Sequence, residues 1–284
     1  MKFSTVDNLN SFLGDVTIVV NSCDAYSDVL ELFFKALDEY WPDNQYPVVV
    51  NTESSTLLGY TEEQKGGVTW GQRLIDLLYK IETEYVVMVF DDFLLEDFVD
   101  KNKLNAVFNL LQSDRDSSVF YLNAACVSDH VDEPENDYRL LKDGVDFRLN
   151  SVPAVWKREE LIRYTRGVDS PWAWEVFGSY RTFNKGRNFY SSSSQQCNIF
   201  RYNYKKGGAI YRGKWVREVV EDKIQKYGLD IDLERRGIVD FSESVDRTFG
   251  WKVSFLVTGY KSIGFGVLRF VFRYVKTKLK RVFK

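Results

Sequence analysis

Glu84-Tyr85-Val86-Val87-Met88-Val89-Phe90-Asp91-Asp92-Phe93 is the stretch that decides the fold. Tyr85 to Phe90 is continuously apolar and rich in valine, too short for a helix, and reads as a strand buried on both faces, as in a parallel sheet. It ends abruptly at two carboxylates. Upstream, Val16-Thr17-Ile18-Val19-Val20-Asn21 is a second such strand, bounded by Gly14-Asp15. Leu30, Phe33, Phe34 and Leu37 then recur at helical spacing until Trp41-Pro42 stops them. Tyr46 to Asn51 is another strand. A Ser/Thr/Gly-bearing loop runs through Gly66-Gly67, and Leu74, Ile75, Leu77, Leu78 and Ile81 mark the next helix.

This alternation of strand and helix predicts parallel pairing with right-handed crossovers, and ligands in such sheets gather beyond the carboxyl ends of the strands. Asn21 to Asp24 and Asp91-Asp92 fall at such ends. Downstream the pattern continues with a helix over Asp97 to Leu111 and a strand over Val119 to Asn123. Ser128 to Asp146 is acidic and aperiodic, an excursion over the active face or a hairpin. A strand over Ser151 to Trp156, a helix over Arg158 to Tyr164 and the segment Ser170-Pro171-Trp172-Ala173-Trp174-Glu175 follow. No internal repeat or linker divides the chain. One α/β domain over residues 1–260 and an appended tail over 261–284 are expected.

Composition narrows the function. Cys23, Cys126 and Cys197 are widely spaced, odd in number and without a CxxC pair, which points away from a disulfide framework or a zinc site and toward a reducing cytoplasm. Met1 to Asp15 lacks the pattern of a secretory signal, and no uninterrupted apolar run is long enough to span a bilayer. The last 24 residues carry eight Lys or Arg and no acid, leaving −11 on residues 1–260 of a chain whose net charge is −3. An acidic body argues against nucleic acid as a partner. There is no GxGxxG or GxxxxGK[ST] motif. His130, the single histidine, lies in the acidic stretch, so a histidine metal site or a Ser/His/Asp triad has little support.

Adjacent carboxylates after an apolar strand repel each other unless a cation or hydrogen bonds offset their charge. Asp91 and Asp92 therefore suit Mg²⁺ or Mn²⁺, which can bridge the phosphates of a nucleotide diphosphate; the alternative is a helix start, where the dipole favours acids. Tyr211-Arg212-Gly213-Lys214-Trp215 sets two cations, Arg212 and Lys214, around a glycine ahead of a helix, an arrangement for phosphate oxygens or a plain surface turn.

The segment Gly67-Val68-Thr69-Trp70-Gly71-Gln72-Arg73, the following helix and Glu84 to Phe93 resemble the approach to the DxD motif of GT-A glycosyltransferases, most closely the bacterial capsule and lipopolysaccharide group. Asn21-Ser22-Cys23-Asp24-Ala25-Tyr26 resembles that group's nucleotide-contacting turn, and Ser170 to Glu175 stands where the group carries an acceptor-side acid. The resemblance covers roughly residues 16–237. It implies a GT-A-like (Rossmann-type), mostly parallel sheet flanked by helices, a nucleotide-diphosphate sugar as donor, and Mg²⁺ or Mn²⁺. Asp24 would then contact the base or ribose, or else cap the next helix. Arg73 would hold the diphosphate or buttress Asp91, or else sit on a solvated helix face, and Trp70 would be a helix-start staple or a stacking platform. The third DxD position is Phe93, so Asp92 reaches the metal alone or with Glu96 or Asp97. Glu175 is the candidate general base of an inverting transfer, with Asp169 in reserve. Trp172 and Trp174 would desolvate Glu175 and stack on the acceptor sugar. Alternatively, Ser170-Pro171 simply opens a helix with Glu175 in its first turn.

In the tail, Phe265, Leu268, Phe272, Val275, Leu279 and Val282 form one helical stripe among cations. A basic amphipathic helix lying on an anionic membrane is expected, with a core-docked terminal helix as the alternative. The combined expectation is a glycosyltransferase on the cytoplasmic, inner face of the cell membrane. It would move a sugar to a glycan acceptor carried on polyprenyl diphosphate, in surface polysaccharide synthesis. A nucleotidyltransferase and a non-catalytic glycan-binding module are the rival classes.

Overall fold

The computed structural model describes residues 14–53, 68–124, 137–203, 207–239 and 248–282, with side chains to residue 276. The N-terminal segment before Gly14, the loop through Gly66-Gly67, Cys126 and His130 lie outside the described residues.

Seven strands form one sheet: β1 (Val16–Asn21), β2 (Val48–Asn51), β3 (Tyr85–Phe90), β4 (Ser117–Tyr121), β5 (Tyr138–Leu140), β6 (Ala154–Lys157) and β7 (Asn188–Ser192), in the order β2-β1-β3-β6-β4-β7-β5. Five run in one direction; β6 and β5 oppose them. The expected fold class, a mostly parallel sheet flanked by helices with a helix at the C-terminus, is the one the chain adopts.

Side chains alternate across the strands, so each central strand feeds two cores. Val16, Ile18, Val20, Tyr85, Val87 and Val89 face one layer, built from α1 (Ser27–Tyr40), α3 (Lys101–Ser113) and α6 (Arg217–Tyr227). Val19, Val86 and Met88 face the other, with α2 (Trp70–Lys80), α4 (Arg158–Tyr164) and α5 (Pro171–Val176). The helix predicted from Asp97 begins at Lys101 because Asp97 and Asp100 are used as turn and cap residues: the Asp97 carboxylate accepts the Phe98 N–H and that of Asp100 the Lys103 N–H at 3.1 Å. The strand predicted from Ser151 begins at Ala154, because Ser151 and Val152 bond to Glu175 and Asn150.

The antiparallel placement of β6 between β3 and β4 positions the site. Met88 pairs with Ala154, so Asp91, three residues beyond Met88, and Ser151, three residues before Ala154, come to the same end of the sheet. A short hairpin, β8 (Ile210–Tyr211) and β9 (Lys214–Trp215), hangs over this end. Its root is fixed by the Ala209 N–H, which donates to the Asp92 carbonyl at 2.7 Å. Gly208 (φ +107°) precedes it, and a Cβ there would lie 2.7 Å from the same carbonyl, so the approach requires glycine.

The C-terminal region departs from expectation. Before α8 (Val267–Val282) stands a second helix, α7 (Phe249–Ile263), and position 261 lies within its last turn. Val267, with partly buried Phe255, Ile263 and Phe270, packs on Ala173, Val176 and Phe177. The tail is thus docked on one side and, as shown by Leu268, Phe272 and Val275, exposed on another.

Candidate functional site

The carboxyl ends of β1, β2 and β3 are tied by Asn21, a buried residue read from the sequence only as the start of the nucleotide-contacting turn. Its side-chain oxygen accepts from Asn51 Nδ2 at 3.0 Å and Trp70 Nε1 at 2.9 Å, and its amide donates to the Val89 carbonyl at 3.2 Å. Both strands end in Val-Asn, a signal that could have found the pair. Trp70 is consequently a packing residue rather than a ligand platform: it stacks on Phe90 at 6.0 Å and meets Trp174 edge-on at 5.9 Å.

Asp91 is buried and accepts a hydrogen bond from the Ser22 hydroxyl, across the β1–β3 gap. Burial pushes its carboxyl from the ordinary 3.8 up to about 7, against the pull of Ser22 and the more distant Arg236. Asp92 is only partly exposed, and burial first, then the charge of Asp91, raises its carboxyl well above the usual range. Among the described residues no cation forms an ion pair with either, and no third acid, cysteine or histidine completes a metal-binding cluster. Glu96 and Asp97, the proposed helpers, are turned away: Glu96 pairs with Lys223 at 2.9 Å and Asp97 with Arg201 at 2.6 Å. Phe93 is core, its ring 4.5 Å from that of Tyr202. The donor set is two uncompensated carboxylates, which fits Mg²⁺ or Mn²⁺ bound chiefly through substrate phosphates and water.

Because Asp91 binds a proton in the folded state between about pH 4 and 7 that the unfolded chain does not, its burial costs stability above pH 7 and progressively less as the pH falls. Asp91→Asn, which preserves the Ser22 bond, should therefore raise stability at pH 8 by up to about 4 kcal/mol and by far less near pH 5. Melting curves in EDTA at the two pH values check this; an equal gain at both would contradict it.

The turn after β1 is a single 3-10 turn, Asp24–Tyr26. Asp24 lies within it, exposed, and does not cap α1. Its N–H donates to Glu53 Oε2 at 2.7 Å, and the other oxygen of Glu53 pairs with Arg73 at 2.7 Å. Arg73 is buried, which corrects both the solvated reading and direct contact with Asp91: its charge meets Glu53, so it braces the Asp24 turn from below. Arg236 clasps the turn from the other side. Its guanidinium donates to both Asp28 oxygens and to the Ala25 carbonyl and lies 4.5 Å from the Tyr26 ring centroid. No local pattern identifies Arg236, because Asp28 is 208 residues away. The Cys23 thiol beside this turn is pushed up to about 11 by burial and by Glu53 and Asp91, which makes it a poor nucleophile.

Arg212 and Lys214 are exposed at the tip of the β8–β9 hairpin, with Arg212 (φ 54°) over the Tyr211 ring at 5.2 Å. The root of the hairpin that carries these two cations, rather than its tip, is what bonds to the Asp92 main chain.

Glu175 is partly buried in α5. Its Oε1 accepts the Ser151 N–H at 2.7 Å and the Ser151 hydroxyl at 2.5 Å; among the described residues no donor reaches Oε2. Burial raises its carboxyl pKa, opposed by the Ser151 bonds. Trp174 is fully buried against Trp70 and Trp156, which corrects its assignment to the acceptor sugar. Trp172 is half-exposed and packs on Phe147, whose φ of 58° is an unfavoured left-handed conformation for a bulky residue. Asp169, the reserve base, is also corrected. It is fully buried, forms a two-bond ion pair with Arg181 at 2.6 and 3.1 Å, and accepts from the Arg166 N–H and the Ser262 hydroxyl. Both oxygens are occupied by donors, and the Ser262 bond pins α7 to the body.

No family model matches the chain, and no curated protein matches it. Among solved structures it is similar to the bifunctional IspDF from Campylobacter jejuni, with 13% identity and a TM-score of 0.38 over 66% of this chain and 52% of that one; this chain spans about half the length of IspDF. It is also similar to CMP:2-keto-3-deoxy-manno-octonic acid synthetase complexed with CTP, with 13% identity and a TM-score of 0.38 over 62% and 88% of the two chains. An active-site mutant of LgtC gives 14% identity and a TM-score of 0.31 over 52% and 59%. Likenesses this distant assign no residue a role.

Proposed function

We propose that this chain is an inverting glycosyltransferase that moves a sugar from a nucleotide-diphosphate donor to a glycan acceptor. The acceptor is carried on polyprenyl diphosphate at the cytoplasmic face of the membrane, during surface polysaccharide assembly. The observation that carries the reading is the placement of Asp91-Asp92 and of Ser151, with Glu175 bonded to it, at one end of the sheet. Asp24 and Tyr26 receive the nucleoside on a turn stiffened by Glu53, Arg73 and Arg236. Arg212 and Lys214 meet the diphosphate. Asp91 and Asp92 would hold Mg²⁺ or Mn²⁺, which offsets the charge of the departing diphosphate. Glu175 Oε2 takes the proton of the acceptor hydroxyl as that oxygen bonds to the anomeric carbon and the bond to the diphosphate breaks. Trp172 and Phe147 offer the acceptor sugar an exposed aromatic surface.

The released product separates this reading from its rivals. Incubation with a panel of nucleotide-diphosphate sugars and a lipid-linked acceptor analogue should release nucleoside diphosphate only when the acceptor is present. Release of pyrophosphate from a nucleoside triphosphate and a sugar phosphate would make the chain a nucleotidyltransferase. Glycan binding without turnover of any donor would make it a binding module.

A further inference from the structure

We propose that α7, as well as the terminal helix, contacts lipid: the two helices form a platform that lies flat in the interface of an anionic bilayer. This stands whether or not the acidic site transfers a sugar. α7 has two apolar-accommodating faces. Phe255, Gly259 and Ser262, at i, i+4 and i+7, form the docked face. Gly259 meets the Phe177 ring, where a Cβ would lie 2.6 Å from ring carbons, and the Ser262 hydroxyl donates to Asp169 at 3.0 Å. Phe249, Val253, Leu256, Val257 and Tyr260, at i, i+4, i+7, i+8 and i+11, form a second stripe that points to solvent, with Phe249 82% exposed.

α8 repeats the arrangement. Val267 and Phe270 dock, while Leu268, Phe272 and Val275 face outward, 63%, 69% and 47% exposed. The two outward stripes meet at the corner, where Phe265, 78% exposed, contacts the Tyr260 ring at 5.6 Å. A contiguous apolar surface of this extent marks an interaction site.

Charge selects the occupant. Residues 249–284 contain nine Lys or Arg and no acid, so anionic lipid is attracted, whereas a second copy would bring the same positive charge against itself. Phe249–Lys276 is long and apolar enough to cross a bilayer by length and composition, which corrects the expectation that no segment is. The break at Gly264 (φ +57°) and the Ser262–Asp169 tie hold both helices along the protein, which favours lying in the interface over crossing.

The test is co-sedimentation of the full chain with phosphatidylglycerol–phosphatidylcholine vesicles and with phosphatidylcholine alone. The wild type should bind the anionic vesicles preferentially. Leu256→Glu with Val257→Glu should weaken that binding about tenfold or more without lowering Tm, because both side chains face solvent. Phe249→Glu, at the most exposed position, should act in the same direction and serves if the double variant folds poorly. Wild-type binding by both variants would overturn the role of α7, as would equal binding to neutral vesicles. Conversion of a wild-type oligomer to monomer by the same substitutions would assign the surface to a second copy. Resistance of the bound chain to an alkaline carbonate wash would show a spanning helix instead.

Discussion

Asp92→Ala should lower transfer on the order of 10³-fold while raising the melting temperature. Removing a group that stabilises developing charge in a water-poor site typically costs 10²–10³-fold in turnover, and loss of a metal ligand adds to that. The stability change has the opposite sign because the carboxyl of Asp92 is held well above its ordinary range by burial and by Asp91. The fold disfavours its charge, and alanine removes that cost. The hairpin root should survive, since the Ala209 N–H bonds to the main-chain carbonyl of Asp92, which alanine keeps. A structural acid would behave otherwise, losing activity and stability together. Turnover and a melting curve on the same preparation distinguish the two.

Much of this arrangement is legible in the sequence, for identifiable reasons. β1 and β3 are buried on both faces, so their composition announces them, and the two carboxylates mark where burial ends. Ser170 and Pro171 open α5 as their residue types predict, with the Ser170 hydroxyl accepting the Ala173 N–H at 3.2 Å. The direction of β6 was not legible, because hydrophobic periodicity carries no sign. Yet that direction brings Ser151 and Glu175 to the level of Asp91. Arg73 and Asp169 each read as candidate functional groups but are buried partners of Glu53 and Arg181. A charged residue in the sequence does not reveal whether its counter-ion lies across the fold. α7 was missed for a different reason: its docked face carries Gly259 and Ser262 beside Phe255, while Phe249, Val253, Leu256, Val257 and Tyr260 face outward, so the stronger apolar stripe is the exposed one, reversing the pattern by which a surface helix is recognised.

Glu175→Gln should leave donor affinity unchanged and lower turnover by about 10²–10⁴-fold, the range for a lost general base. Glutamine retains an oxygen able to accept both Ser151 bonds, so α5 and the loop stay in register. What is lost is proton affinity at the open oxygen. Because burial raises the carboxyl of Glu175, the wild-type rate should fall on the acid side at a higher pH than an ordinary glutamate would give, and the variant should lose that limb. Equal losses in donor binding and turnover would make Glu175 a structural residue, and wild-type turnover would remove it from the mechanism.

If the proposed transfer is right, the Asp91-Asp92 end of the sheet binds a nucleoside diphosphate together with a divalent cation. Calorimetric titration of uridine, guanosine, cytidine, adenosine and thymidine diphosphates into the wild type and Asp92→Ala, each with Mn²⁺ and with EDTA, tests it most directly. At least one nucleotide should bind the wild type with Mn²⁺, EDTA should weaken that binding about tenfold or more, and Asp92→Ala should abolish the difference. Binding of equal strength in EDTA, or Mn²⁺-enhanced binding that persists in Asp92→Ala, would contradict it.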